Sequence, residues 1–158
     1  MAAAARSEGW CDAGINANLE VDRTVRDAEV LYEGANPALI GACRDALFAA
    51  TRGIAAAVAA KTVLAEIQIV RYHVAGRYVE HRDSPDAGAT PRAVSIVCYL
   101  NDDFRGGETA FAEPDLALSP LSGVAVVFSP VLLHQARPVV SGTKYAITAW
   151  YHVPPVAA

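Results

Sequence analysis

Cysteine is scarce: Cys11, Cys43 and Cys98 are the only three in 158 residues. Their odd number and wide spacing exclude a CxxC zinc pair and a disulfide framework. Cys43 and Cys98 lie in apolar segments and read as small core residues, suited to a reducing cytoplasm. No uninterrupted apolar run approaches the roughly 20 residues of a membrane-spanning helix, so no membrane partner is expected. The start, Met1 to Glu8, is alanine-rich but lacks a long apolar stretch, so a secretory leader is not expected either. Basic residues form no cluster and the net charge is −4, which argues against nucleic acid as a partner. There is no internal repeat and no low-complexity linker, and nothing in the sequence sets an oligomeric state. Gly106, Gly107 and Gly123 precede no helix start, so they fit turns and tight packing rather than phosphate binding.

What remains is a mixture of 53% apolar and 19% charged residues, enough for one globular domain with a real core. The first twenty residues have no clear period. Leu19 to Tyr32 alternates loosely, as one or two outer strands would. Asn36-Pro37 reads as an N-cap followed by proline in the first helical turn. Leu39, Ile40, Cys43, Leu47 and Phe48 then recur at helical spacing to about Ala50. Gly53 interrupts the pattern, and a second short helix is expected over Ile54 to Ala60.

From Ala65 the character changes to short β-type runs. Strands are expected at Glu66–His73, Arg77–Arg82, Arg92–Leu100, Glu108–Phe111, Leu116–Ser119, Val124–Phe128, Leu133–Val139 and Tyr145–Val153. Turn residues separate them at Ser84-Pro85-Asp86, Asn101-Asp102-Asp103, Arg105-Gly106-Gly107, Pro120 to Gly123 and Ser141-Gly142. Eight such strands suit a sandwich or jelly roll. The expected fold is therefore α+β and mainly β. Residues 1–64 would supply N-terminal strands and supporting helices, and 65–158 the jelly-roll core of the same domain.

Three residues carry the chemistry. His81 and Asp83 are two positions apart, and in a strand such residues point to one face. With His134 they make two imidazoles and one carboxylate, the ligand set of mononuclear non-haem Fe(II) sites. Each part alone has a plainer reading: a surface strand end for the His-x-Asp pair, a satisfied core histidine for His134. Lys144 follows ten residues later, where a buried cation would need an acidic partner. An ordinary surface lysine beside a Gly turn is the alternative.

Three blocks add a resemblance. They run from Tyr72 through Gly76, Tyr78 and His81 to Asp83, from Tyr99 to Thr109, and from His134 through Val139 and Lys144 to Trp150. From about Ile67 to His152 the chain resembles the 2-oxoglutarate/Fe(II) oxygenases of the prolyl 4-hydroxylase type. The resemblance implies a double-stranded β-helix with His81, Asp83 and His134 as ligands of Fe(2+). It further implies Lys144 paired with the C5 carboxylate of 2-oxoglutarate, Tyr72 and Thr109 hydrogen-bonding the same co-substrate, O2 as second co-substrate, and ascorbate as a reductant. The reaction implied is hydroxylation of an unactivated C–H, with release of succinate and CO2. Arg92 would face the substrate or form a strand-edge salt bridge, and Tyr78 and Trp150 would line the pocket or belong to the core. His73 and His152 fall outside the ligand pattern and read as structural or solvent-facing. The segment from Asp83 to Arg92 is short for a peptide-clamping lid, which leaves an amino acid, a peptidyl residue or a small metabolite as substrate. Oxidative halogenation would replace the carboxylate ligand, and Asp83 is present. A non-catalytic jelly-roll module that binds a ligand or partner is the reading from another class.

Overall fold

The structure, a computed structural model, describes residues 1–16, 18–58, 62–83 and 92–154. Helices α1 (Ala2–Ala5) and α2 (Pro37–Val58) accompany thirteen strands in the described residues. These are β1 (Cys11–Asp12), β2 (Arg26–Asp27), β3 (Glu29–Leu31), β4 (Val63–Tyr72), β5 (Arg77–His81), β6 (Arg92–Tyr99), β7 (Arg105–Gly106), β8 (Thr109–Phe111), β9 (Leu116–Leu118), β10 (Ala125–Phe128), β11 (His134–Ala136), β12 (Val139–Ser141) and β13 (Lys144–His152). The first twenty residues, without a period in sequence, contribute α1 and β1. The expected turn at Ser84-Pro85-Asp86 and the end of the expected second helix lie outside the described residues.

α2 starts at the expected cap: Asn36 Oδ1 accepts the Leu39 N–H at 3.1 Å, and Pro37 sits where no N–H partner is needed. It does not break at Gly53. A glycine within a helix costs roughly 0.5–1 kcal/mol, and burial of Leu47, Thr51 and Ala55 around it outweighs that cost. Thr51 also ties helix to sheet, through a 3.0 Å hydrogen bond with the Tyr151 hydroxyl.

The strands form an antiparallel six-stranded sheet in the order β1-β3-β4-β13-β6-β10 and a five-stranded sheet in the order β2-β5-β11-β8-β9. The strand pair β12-β7 stands apart. Alternation divides the large sheet into two faces. Ile67, Ile69, Val94, Ile96, Ile147, Ala149 and Tyr151 join Ile40, Leu47 and Ala55 of α2 in one apolar core. On β13 the intervening residues Lys144, Ala146, Thr148, Trp150 and His152 line a cavity shared with His81 and His134 of the smaller sheet. This is the expected jelly roll, with helix α2 backing one sheet.

Two local expectations need correction. Leu133–Val139 is not one strand, because Pro138 offers no N–H to a ladder; β11 ends at Ala136 and β12 begins at Val139. Arg105-Gly106 is a short strand against β12 rather than a plain turn. Replacing Asn36 by alanine removes the α2 cap and should cost about 1 kcal/mol. The melting midpoint should fall by about 2–4 °C, read by thermal unfolding; an unchanged midpoint would show that the cap contributes nothing.

Candidate metal centre

His81 closes β5, Asp83 lies two residues beyond, and His134 opens β11 directly opposite His81 in the antiparallel pair. Their ligand-type atoms all lie within 4.8 Å of one another. Asp83 sits between the imidazoles, with Oδ1 3.5 Å from His81 Nε2 and Oδ2 3.6 Å from His134 Nε2. Those separations are too long for good hydrogen bonds and leave a point that all three groups face. Both rings are oriented from behind. His81 Nδ1 lies 2.8 Å from the Val79 carbonyl and His134 Nδ1 2.9 Å from the Leu132 carbonyl. A proton donated at each Nδ1 leaves the Nε2 lone pair for a metal.

The protonation states fit. Burial works against the charge on Asp83, but the neighbouring His81 and His134 imidazoles hold its carboxyl well below the usual range. Burial pushes His134 down, towards the neutral form that a ligand requires. The donor set is hard to intermediate and contains no thiolate, which suits a divalent iron-type ion better than a cysteine-rich zinc site. The three cysteines are free and none belongs to this cluster.

A β-bulge completes the site. Between β5 and β11 the register steps from His81↔His134 to Tyr78↔Ala136, so β5 carries one extra residue. Tyr78 and His81, three apart, would otherwise point to opposite faces; here their rings stack at 3.5 Å. Phe128 meets the other side of the pair, edge-on to His134 at 4.6 Å.

The cavity over this cluster measures about 600 Å³. Tyr72, Thr109 and Lys144 all line it, as do Arg92, Tyr78 and Trp150. Lys144 is 2% exposed. Its ammonium donates to the Gly107 carbonyl at 2.7 Å and rests near the faces of Tyr72 (5.2 Å) and Tyr99 (5.4 Å). No carboxylate pairs with it among the described residues, and burial lowers its pKa from the ordinary 10.5 to about 8. Gly107 is required beside it: φ is +68°, and a Cβ there would stand 3.1 Å from Lys144 Cδ. Tyr99 donates to Thr109 Oγ1 at 2.7 Å.

Arg92 forms the strand-edge salt bridge. It pairs with Glu66 and lies over the Trp150 ring at 4.0 Å, at the cavity wall. His73 is exposed beside Glu29. His152 lines the cavity, 2.9 Å from Glu66. Two-residue alternation from Lys144 through Trp150 could have placed it there. Arg26, Glu66 and Gln68 also line the cavity. No sequence signal marked Arg26, since its own strand is two residues long and its burial depends on residues remote from it in sequence.

Residues 67–152 match the family model of the 2OG-Fe(II) oxygenase superfamily, and the chain belongs to that family. It is 30% identical over 105 residues to prolyl 4-hydroxylase subunit alpha-1 of Bos taurus, covering 55% of this chain and 20% of that protein. A PKHD-type hydroxylase of Maricaulis maris is 31% identical over 147 residues, 90% of this chain and 66% of the relative. The chain thus spans about a fifth of the curated prolyl 4-hydroxylase subunit and about two thirds of the PKHD-type relative. Among solved structures, the viral collagen prolyl hydroxylase vCPH of Paramecium Bursaria Chlorella virus-1, in its 2OG complex, superposes with a TM-score of 0.68. The identity is 22%, covering 82% of this chain and 81% of that one, which establishes a shared fold.

Lys144 gives a pH signature. Its folded pKa is lowered, so between about pH 8 and 10.5 the unfolded chain holds a proton that the native protein has lost. Stability therefore rises with pH across that window, and the cost of the buried charge is fully present below it. The unfolding free energy of the ligand-free wild type, minus that of Lys144→Met, should rise by on the order of 1–3 kcal/mol from pH 7.5 to 10.5. A flat difference in denaturant titrations would mean that Lys144 is not held charged in a dry site.

Proposed function

We propose that this chain is an Fe(II)- and 2-oxoglutarate-dependent dioxygenase. It hydroxylates an unactivated C–H of an amino acid, a peptidyl residue or a small metabolite and releases succinate and CO2. One observation carries the reading: a buried lysine whose hydrogen-bond partner among the described residues is a neutral carbonyl shares a cavity with a convergent His-Asp-His cluster. The cluster fits a metal, and the lysine fits the far carboxylate of a metal-chelating dicarboxylic acid.

In this proposal His81, Asp83 and His134 would hold the iron, the two imidazoles through Nε2 and Asp83 through its carboxylate. The bound iron and 2-oxoglutarate supply the O2-activating chemistry. The chain's own residues position the reactants. Lys144, which donates to the Gly107 carbonyl, would hold the C5 carboxylate of 2-oxoglutarate by a charge-assisted contact in a desolvated site. Tyr99 donates to Thr109 Oγ1, which leaves the Thr109 proton free for that same carboxylate; the Tyr72 hydroxyl supplies another donor. Tyr78 buttresses His81, and Arg92 and Trp150 form the wall that the substrate meets. Ascorbate would keep the iron reduced. The three free cysteines suit a cytoplasmic setting.

Two alternatives fit less well. Halogenation needs the carboxylate ligand replaced, whereas Asp83 stands between both histidines. A non-catalytic binding module would have no use for a buried Lys144, without a directly paired carboxylate among the described residues, beside a potential metal site.

Calorimetry on the Mn(II)-loaded protein tests the proposal directly. Wild type should bind 2-oxoglutarate only after Mn(II), and Lys144→Ala should lose about ten- to a hundredfold in 2-oxoglutarate affinity while retaining Mn(II). Asp83→Ala should lose Mn(II) itself. A folded, Mn(II)-loaded wild type that takes up no 2-oxoglutarate would favour the non-catalytic module.

A further inference from the structure

A second buried cation in the cavity has no acidic partner among the described residues. Arg26 of β2 is 7% exposed and pairs in register with Tyr78 at the sheet edge. Its guanidinium lies 4.9 Å from the centre of the Tyr78 ring, and that ring stacks on His81. Cation, phenol and imidazole therefore form one column that ends at the metal cluster.

Among the described residues the partners of Arg26 are all neutral. Nη1 donates to the Gly14 carbonyl at 2.8 Å and Nη2 reaches Gln68 Oε1 at 3.3 Å. The Tyr72 hydroxyl is a further neighbour, and Nε has no partner. Carboxylates are not scarce elsewhere: Arg23 pairs with two, and Arg44, Arg71 and Arg92 with one each. Among the described residues, Arg26 forms no salt bridge although it is the most buried of these five arginines. A buried charge left without a counter-ion is costly, so its partner is expected to arrive with a ligand.

Co-substrate alone does not satisfy it. Lys144 lies over the face of the Tyr72 ring while Arg26 neighbours the Tyr72 hydroxyl, so the two cations flank one side chain. A dicarboxylate that reaches from the metal to Lys144 leaves Arg26 for another anion. A planar guanidinium with Nε free and Nη2 loosely held is shaped for a carboxylate. Gly14, Ile15, Asn16 and Leu19 wall the cavity on this side, which suits a terminal group rather than a through-running chain.

We infer that Arg26 selects the substrate by its free carboxylate, so that the molecule hydroxylated is a small free acid of the amino-acid class rather than a residue within a polypeptide. This rests on the dioxygenase reading above. Arg26 is a specificity residue and takes no part in holding 2-oxoglutarate.

The test compares the L-amino acids with their primary amides and with blocked tripeptides containing the same residues. Succinate release is measured with Fe(II) and 2-oxoglutarate, and binding is read separately as a melting shift of the Mn(II)–2-oxoglutarate protein. At least one free acid should stimulate succinate release, with its amide and blocked peptide at least tenfold poorer in kcat/KM. Arg26→Leu should raise KM for that acid about ten- to a hundredfold and abolish the acid-over-amide preference. Arg26→Lys should keep part of that preference. Calorimetric affinity for 2-oxoglutarate should stay within about twofold in both variants. If Arg26→Leu does not fold, the acid–amide comparison on wild type still decides. An amide or blocked peptide as good as the acid, or no amino acid turned over, would overturn the inference. So would loss of 2-oxoglutarate affinity in either variant, which would assign Arg26 to the co-substrate. Failure of wild type to bind 2-oxoglutarate at all is a separate result, and it removes the dioxygenase reading itself.

Discussion

The antiparallel pairing of β11 with β5 is the constraint on which the site depends. It sets His134 opposite His81, and Asp83 follows His81 by the two residues that return a side chain to the same face. A one-residue slip would turn His134 away from the cavity and leave a lone imidazole–carboxylate pair. The register is held from outside the ligands. Phe111 and Phe128 pack against each other and against His134, and Tyr78 covers His81. Backbone carbonyls of Val79 and Leu132 then fix each ring from its far nitrogen.

A second register does the same for the cations. β13 pairs with β4 from Lys144↔Tyr72 onward, so every other residue of β13 enters the cavity while its neighbours pack under α2. Lys144 is thereby driven into a buried position where it donates to the Gly107 carbonyl. Arg26 reaches a comparable position from the other sheet. Folding places two buried cations, neither directly paired with a carboxylate among the described residues, in one cavity, an arrangement that fits the anionic ligands proposed above.

The metal cluster and the jelly roll were legible because both rest on two-residue periodicity, which survives in sequence. Helix α2 was legible at its start, where Asn36-Pro37 is a local signal, and not at Gly53, where packing overrides local preference. Pro138 could have warned that β11 stops early. The stacking of Tyr78 on His81 could not be foreseen, since it needs a bulge that changes the parity of β5. Arg26 was silent for a related reason: its strand is two residues long, and its burial is set by Gly14, Gln68 and Tyr72, remote from it in sequence. His152 and Glu66 fall between these cases, because alternation along β13 implies the first and strand pairing then implies the second.

Anomalous diffraction from crystals grown with Mn(II) and 2-oxoglutarate is the most direct measurement of the central claim. The account predicts one strong peak bonded to His81 Nε2, His134 Nε2 and a single Asp83 oxygen. It also predicts that the Lys144 ammonium will be turned from the Gly107 carbonyl to a carboxylate of the bound acid. A peak outside this triad, or an acid whose far carboxylate ignores Lys144, would contradict it.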